Sequence, residues 1–220
     1  MCGVIGYTPI NDAFVDKKQQ LFKQLFLESS IRGKHFYGIA QLAAHPFPTA
    51  SIHPLDNFEV TRSAELLDIP QFFSPFVPAI AHTRFSQSGD WKVAENNQPI
   101  ISKHRALAMN GVIDMGRKSE YEYKFEVKCE VDNDAEIFLR RMEKGELSET
   151  FINRITGSFA ATWIDSDKGT LFSARNERRP LWKCVEQGAI WIASTKDIFQ
   201  RAGFIQPKTL LESGVEHRHE

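Results

Sequence analysis

A cysteine stands at position 2, behind a methionine and ahead of a glycine. A small second residue permits removal of the initiator methionine, so Cys2 is expected to become the first residue of the working chain. A free α-amine has an ordinary pKa of about 8, which leaves a useful fraction unprotonated near neutral pH. That amine can take the thiol proton directly or through one water, so nucleophile and general base would share one residue. Attack by such a thiol on a carbonyl carbon creates an oxyanion that needs fixed hydrogen-bond donors. The run Ala108, Met109, Asn110, Gly111, where an expected strand ends, offers the Asn110 amide and the Gly111 backbone N–H. Loss of one such donor typically costs about a hundredfold or more in turnover. Asn-Gly is also the signature of a plain hairpin turn, and the pair alone leaves both readings open.

Two charged residues could select a substrate. Arg84, at the end of an expected strand, can clamp a carboxylate through two parallel donors. Asp134, at the start of an expected helix, suits either a bound ammonium or a helix cap. His82 and His104 would compete for the role of base, but the α-amine already fills it, and His82 is expected to orient its strand or loop by hydrogen bonding. Cys129 and Cys184 read as buried apolar residues. Three cysteines without a CxxC spacing give neither a disulfide framework nor a zinc site.

The elements that must position these residues follow from pattern. With 220 residues, 42% hydrophobic and 25% charged, the chain can bury a core as one domain, expected over 1–215. A formal net charge of -1 gives no general attraction to nucleic acid or anionic membranes. No apolar run reaches the roughly 20 residues of a spanning helix, and the opening lacks the regions of a secretory signal, so the expected location is cytoplasmic. An apolar run at 3–7 predicts a strand, followed by a helix capped by Asn11 or Asp12. Closely spaced prolines over 45–78 predict a long excursion with at most a short helix at 63–67. Strands are expected at 77–83, 105–109 and 121–127, then helices after Asn133 and over 149–155. Segments 158–165, 169–174, 180–185 and 189–193 read as an antiparallel meander in which Trp163, Trp182 and Trp191 face a core. Thr195 caps a last helix, and 216–220 reads as a polar, frayed tail whose His217 and His219 are solvated rather than metal ligands. The pattern is α+β, with helices layered over sheets.

The pieces Cys2-Gly3-Val4-Ile5-Gly6, Arg32-Gly33, Ala81-His82-Thr83-Arg84, Asn97-Gln98-Pro99, Asn110-Gly111, Asp134-Ala135-Glu136, Gly157-Ser158-Phe159-Ala160, Ala174-Arg175 with Pro180-Leu181, and Ala193-Ser194 occur in this order. In that series the chain resembles the glutaminase domain of class II, N-terminal nucleophile glutamine amidotransferases. The resemblance spans nearly the whole chain. It implies a four-layer αββα sandwich with the nucleophile at the start of an inner strand, and no cofactor. It further implies that Cys2 attacks the glutamine side-chain amide while Asn110 and Gly111 form the oxyanion hole. Arg84 would hold the α-carboxylate, and Asp134 with the Gly111 carbonyl would receive the α-amine. Water would then resolve the glutamyl thioester to glutamate.

The chain departs from the family pattern around the substrate. His35 stands where an Asp is usual, Phe85 where Trp is frequent, Gln87 where Thr often helps hold substrate, Met109 near a common His, and Asn133 in place of Thr or Ser. Because the chain ends about where the family's glutaminase domain ends, the expected partner is a separate acceptor subunit that receives the ammonia. The competing readings are a free-standing amidase acting on a γ-glutamyl compound and a catalytically idle binding or regulatory domain.

Overall fold

The computed structural model describes residues 1–43, 57–66, 71–86, 89–145, 151–152, 155 and 157–220. Two antiparallel sheets form its centre. The first contains β1 (Gly3–Pro9), β2 (Phe36–Leu42), β3 (Phe58–Ser63), β4 (Ala79–Arg84), β9 (Trp182–Glu186), β10 (Ala189–Ala193) and β11 (Lys208–Leu210). Its seven strands run in the order β11-β9-β10-β1-β4-β2-β3. The second contains β5 (Ile100–Ile101), β6 (Arg105–Val112), β7 (Ser158–Asp165), β8 (Thr170–Arg175) and β12 (Glu216–His219) in the order β12-β8-β7-β6-β5.

Side-chain alternation sorts the core into layers. Along β1, Ile5 and Tyr7 point toward helix α1 (Val15–Ser29), joining its Phe22, Leu25 and Phe26. Val4 points the other way, toward Ala106 and Ala108 of β6 and Ala160 and Ile164 of β7. The odd-numbered Leu107, Met109, Phe159 and Trp163 then face Ile137, Phe138 and Met142 of helix α3 (Ala135–Glu143). The sequence of layers is therefore helix, sheet, sheet, helix. Burial on both faces explains why the central strands read as continuous apolar runs. A further helix, α4 (Lys196–Arg201), packs Ile198 and Phe199 onto the α1 side.

Several local expectations give way to longer-range contacts. Neither Asn11 nor Asp12 caps α1: the Asn11 side chain accepts the Ala13 N–H, and Phe14 precedes the helix in a left-handed conformation. A missing cap is worth about 0.5–2 kcal/mol, whereas full burial of each of Phe22, Leu25 and Phe26 is worth about 1.5–3 kcal/mol, so packing decides where the helix lies. The expected strand at 121–127 is instead helix α2 (Lys118–Phe125). Its start is held by the Glu120 carboxylate, which accepts the Arg117 N–H at 2.9 Å. One face is buried through Tyr121 while Tyr123 faces solvent, and local propensity for a strand is overridden. Ser63 ends a strand rather than starting a helix, and β3 falls within the proline-rich excursion. The expected helix at 149–155 lies mostly outside the described residues.

The tail is not frayed. Residues Glu216–His219 form β12, paired with β8, and His219 Nε2 lies 2.7 Å from Ser173 Oγ. Burial, and then the nearby Lys183 and His217, pull the pKa of His219 down to about 3, so it sits neutral in the sheet. Trp163 and Trp191 are buried as expected, while Trp182 is half-buried beneath Lys196.

Gly38, in β2, lies directly against the Gln98–Pro99 segment that leads into β5. A Cβ there would lie 2.2 Å from the Gln98 carbonyl oxygen and 2.7 Å from Pro99 Cδ. Gly38→Ala is expected to destabilise the fold by about 1–3 kcal/mol through overpacking. Urea unfolding measures this directly, and a variant as stable as the parent would contradict the contact.

Candidate active site

The alternation that layers the core also decides which reactive side chains meet. Val4 faces the space between the sheets, so Cys2, two residues earlier, lies on the same side. Ile80 does likewise in β4, which brings His82 and Arg84 to that face, and Ala106 and Ala108 do so in β6, which brings Asn110. All four thus approach one end of the inter-sheet space. Cys2, His82, Arg84, Gly111 and Asp134 line a common pocket there, with Phe85, Gln98, Met109 and Asn133 completing its wall. Asn110 is joined to it by a hydrogen bond: its Oδ1 accepts the Cys2 N–H at 3.1 Å. The five residues singled out from sequence are therefore together.

The start of β1 is fixed from several sides. Thr83 Oγ1 accepts the Gly3 N–H at 3.2 Å and donates to the Ser29 carbonyl at 2.8 Å. Ser194 Oγ accepts the Val4 N–H at 2.8 Å, and Arg32 Nε donates to the Cys2 carbonyl at 2.9 Å. Cys2 Sγ sits between the two backbone groups of Phe85, donating to its carbonyl and accepting its N–H, each at 3.4 Å. Burial pushes the thiol pKa up, with the Phe85 contact and the positive charges of Arg84 and Arg32 only partly opposing it. The cysteine therefore needs a base. At the α-amine of Met1, burial lowers the pKa below the ordinary 8.0, opposed by Cys2 and assisted by Arg32 and Arg179.

Asn110 is 2% exposed, and its Nδ2 makes no hydrogen bond to the described residues. Leaving such a donor buried and unsatisfied costs about 1–3 kcal/mol, and its oxygen is already committed to Cys2 N, so the amide cannot turn to relieve it. Gly111 follows at φ 153°, and a Cβ there would lie 1.9 Å from the Ser158 carbonyl oxygen. No other residue fits this approach. The turn reading of Asn-Gly fails, because both residues lie inside β6, paired with Ala160 and Phe159 of β7.

Arg84 is held by neutral acceptors. Nη1 donates to Asn97 Oδ1 at 2.7 Å and to the Asn96 carbonyl, and Nη2 to Ser86 Oγ and the Gly89 carbonyl at 3.4 Å each. Burial lowers its pKa, while Cys2, Asp134, Asp132 and Asp90 favour the charge. The Asn97 side chain is anchored in turn to the carbonyls of Trp91 at 2.8 Å and Val93 at 2.9 Å. Asp134 does not act as a helix cap: its Oδ2 accepts the N–H groups of Ile113 at 2.5 Å and Asp114 at 3.2 Å. Asn133 Oδ1 takes the capping role on Ala135 N at 3.1 Å.

His82 differs from the expectation. Neither ring nitrogen has a hydrogen bond among the described residues, and it forms pocket wall rather than orienting a loop. Burial, then the adjacent Arg84, bring its pKa down to about 3, with the Met109 backbone opposing, so it is neutral and a poor base. His104 lies elsewhere, paired with Asp167 at 2.9 Å on the surface. Gln98 was visible in the sequence only as part of a motif. In the structure its Oε1 accepts the Met109 N–H at 2.5 Å and sets the strand just before Asn110. Gln87 lies outside the described residues. Among those described, no cluster of three or more His, Cys, Asp or Glu side chains could hold a metal ion, and no helix is long and apolar enough to cross a membrane.

The fold matches glutamine phosphoribosylpyrophosphate amidotransferase from B. subtilis complexed with ADP and GMP, with a TM-score of 0.65 and 19% identity. A structure described as the allosteric regulatory enzyme of purine biosynthesis matches with the same TM-score and identity. In each case 96% of this chain is covered but only 44% of the other, so the chain spans less than half the length of these enzymes. No curated protein sequence matches it significantly. The profile of the glutamine amidotransferase domain matches residues 82–201, which contain Arg84, Asn110, Gly111 and Asp134. The chain therefore belongs to the glutamine amidotransferase domain family and has the fold of its class II, N-terminal nucleophile type.

Proposed function

We propose that this chain is a glutaminase that releases ammonia from the glutamine side chain through a thioester on Cys2, and that the ammonia passes to an acceptor enzyme on a separate chain. The observation that carries the reading is the buried, unpartnered Asn110 Nδ2, held beside the nucleophile by the bond from Cys2 N to Asn110 Oδ1. A buried donor left unsatisfied by the described residues, beside the nucleophile, suits a charge that exists only during reaction.

Removal of Met1 leaves the α-amine on Cys2. This amine takes the thiol proton as Sγ attacks the amide carbon, and the oxyanion is received by Asn110 Nδ2 and the Gly111 N–H. Collapse of the tetrahedral intermediate breaks the C–N bond, and the ammonium proton returns the nitrogen as ammonia. The free amine then activates water against the thioester, releasing glutamate. Arg84 binds the substrate α-carboxylate, while Asp134 and the Gly111 carbonyl bind the α-ammonium. The pocket holds about 20 Å³, room for little more than one water, so its wall must move outward to admit glutamine.

The wild-type protein is expected to lack Met1 by intact mass and to release glutamate and ammonia from glutamine in equal amounts. Cys2→Ala should abolish release, and Asn110→Ala should lower kcat about a hundredfold with a smaller change in KM. A processed protein that leaves glutamine untouched but cleaves a larger γ-glutamyl amide would replace this reading with that of an amidase. Activity that survives Cys2→Ala would remove the nucleophile altogether.

The pH profile has a defined direction. Burial, Arg32 and Arg179 disfavour the ammonium of Met1, against the opposing Cys2, and pull its pKa below the ordinary 8.0. The Cys2 amine left by removal of Met1 is proposed to be shifted in the same direction by the same cations. The kcat/KM value should therefore hold above this lowered pKa and fall as pH drops through it. Arg32→Gln removes one of the cations and should move the acid limb to higher pH; an unmoved limb would assign it to another group.

A further inference from the structure

His35 occupies a place where its two contacts confine the residue that covers the nucleophile. Its backbone N–H donates to the Arg84 carbonyl at 2.9 Å, and its Nδ1 accepts the Ser86 N–H at 3.0 Å. Phe85 lies between these anchored neighbours, and both of its backbone groups meet Cys2 Sγ. The imidazole also stands between two aromatic rings, 5.0 Å from Phe85 at an interplanar angle of 24° and 5.6 Å from Trp91 at 23°. Acceptance at Nδ1 fixes the tautomer with its proton on Nε2. A carboxylate at this position could accept the Ser86 N–H but could not fill the space between the rings.

We propose that His35 is a positioning residue that sets Phe85, between Arg84 and Ser86, over Cys2 and so governs access of glutamine to the thiol. The part concerning glutamine rests on the proposed glutaminase activity; the part concerning access to Cys2 does not. Through Ser86, whose Oγ accepts from Arg84 Nη2, and Gly89, whose carbonyl does the same, His35 also reaches the guanidinium that would bind the α-carboxylate. Its influence should therefore appear in substrate binding more than in the chemical step.

The test compares wild type, His35→Ala, His35→Asn and His35→Phe by two readouts: the rate of Cys2 alkylation by iodoacetamide, and glutamine kinetics. In His35→Ala, alkylation should quicken and KM should rise by about tenfold, the factor that one lost hydrogen bond of ordinary strength is worth, with kcat changed less than KM. His35→Asn keeps an acceptor for Ser86 N–H and should fall closer to wild type than the alanine variant. If His35→Ala fails to fold, His35→Phe, which keeps a ring between Phe85 and Trp91 but no acceptor, should still alkylate faster than wild type. Alkylation unchanged in folded His35→Ala or His35→Phe, or a loss confined to kcat, would overturn the proposal. Absence of glutamine hydrolysis in the wild type would defeat the glutaminase reading instead, and alkylation would still decide the role of His35.

Discussion

The hydrogen bond from Cys2 N to Asn110 Oδ1 joins the first strand of one sheet to the end of a strand in the other, across 108 residues of chain. It requires the sheets to approach closely at that edge, and the interface is built for it. Ala40, Ala106, Ala108 and Ala160 keep the facing surfaces low, and at Gly6 even a Cβ would lie 3.2 Å from Leu171 Cδ2 in β8 of the other sheet. Because the amide oxygen is committed to Cys2, the amide nitrogen is aimed elsewhere and stays unpartnered. One contact thus fixes the position of the thiol, the orientation of a donor and the separation of two sheets.

The burial that makes this contact possible also sets the acid–base character of the pocket. It disfavours three charged forms there: the Cys2 thiolate, the protonated His82 imidazole and the Arg84 guanidinium all pay a desolvation cost. His82 is thereby removed as a base at neutral pH. In the proposed reaction this leaves the α-amine of the processed Cys2 as the group able to move the thiol proton. The low dielectric that penalises the thiolate at rest also strengthens hydrogen bonds to an oxyanion when one forms.

Much of this arrangement was legible because the site lies on strands, where a period of two fixes sidedness. The even-numbered Cys2, Val4, His82, Arg84, Ala108 and Asn110 share the inter-sheet face by alternation, and the resemblance supplied the layering and the inner strand that carries Cys2. What escaped the sequence depended on contacts between distant segments. Helix α2 carries strand-prone residues but is started by Glu120 and buries a single face through Tyr121. The C-terminal strand has a tail's composition, and only the exposed edge of β8 with Ser173 gives it a place. Asp134 read alone as a helix cap more readily than as a ligand, and nothing local revealed that Asn133 caps while Asp134 reaches back to Ile113. His82 read as a hydrogen-bonding residue, because its burial depends on the opposite sheet.

The account stands most directly on the chemistry of one atom, Cys2 Sγ with a free amine beside it. Intact mass measured before and after incubation with a diazoketone analogue of glutamine tests both parts. The account predicts a chain without Met1 that gains one adduct, located on Cys2 and absent from Cys2→Ala. A chain that retains Met1, or a processed chain whose Cys2 stays unmodified while another residue reacts, would contradict it.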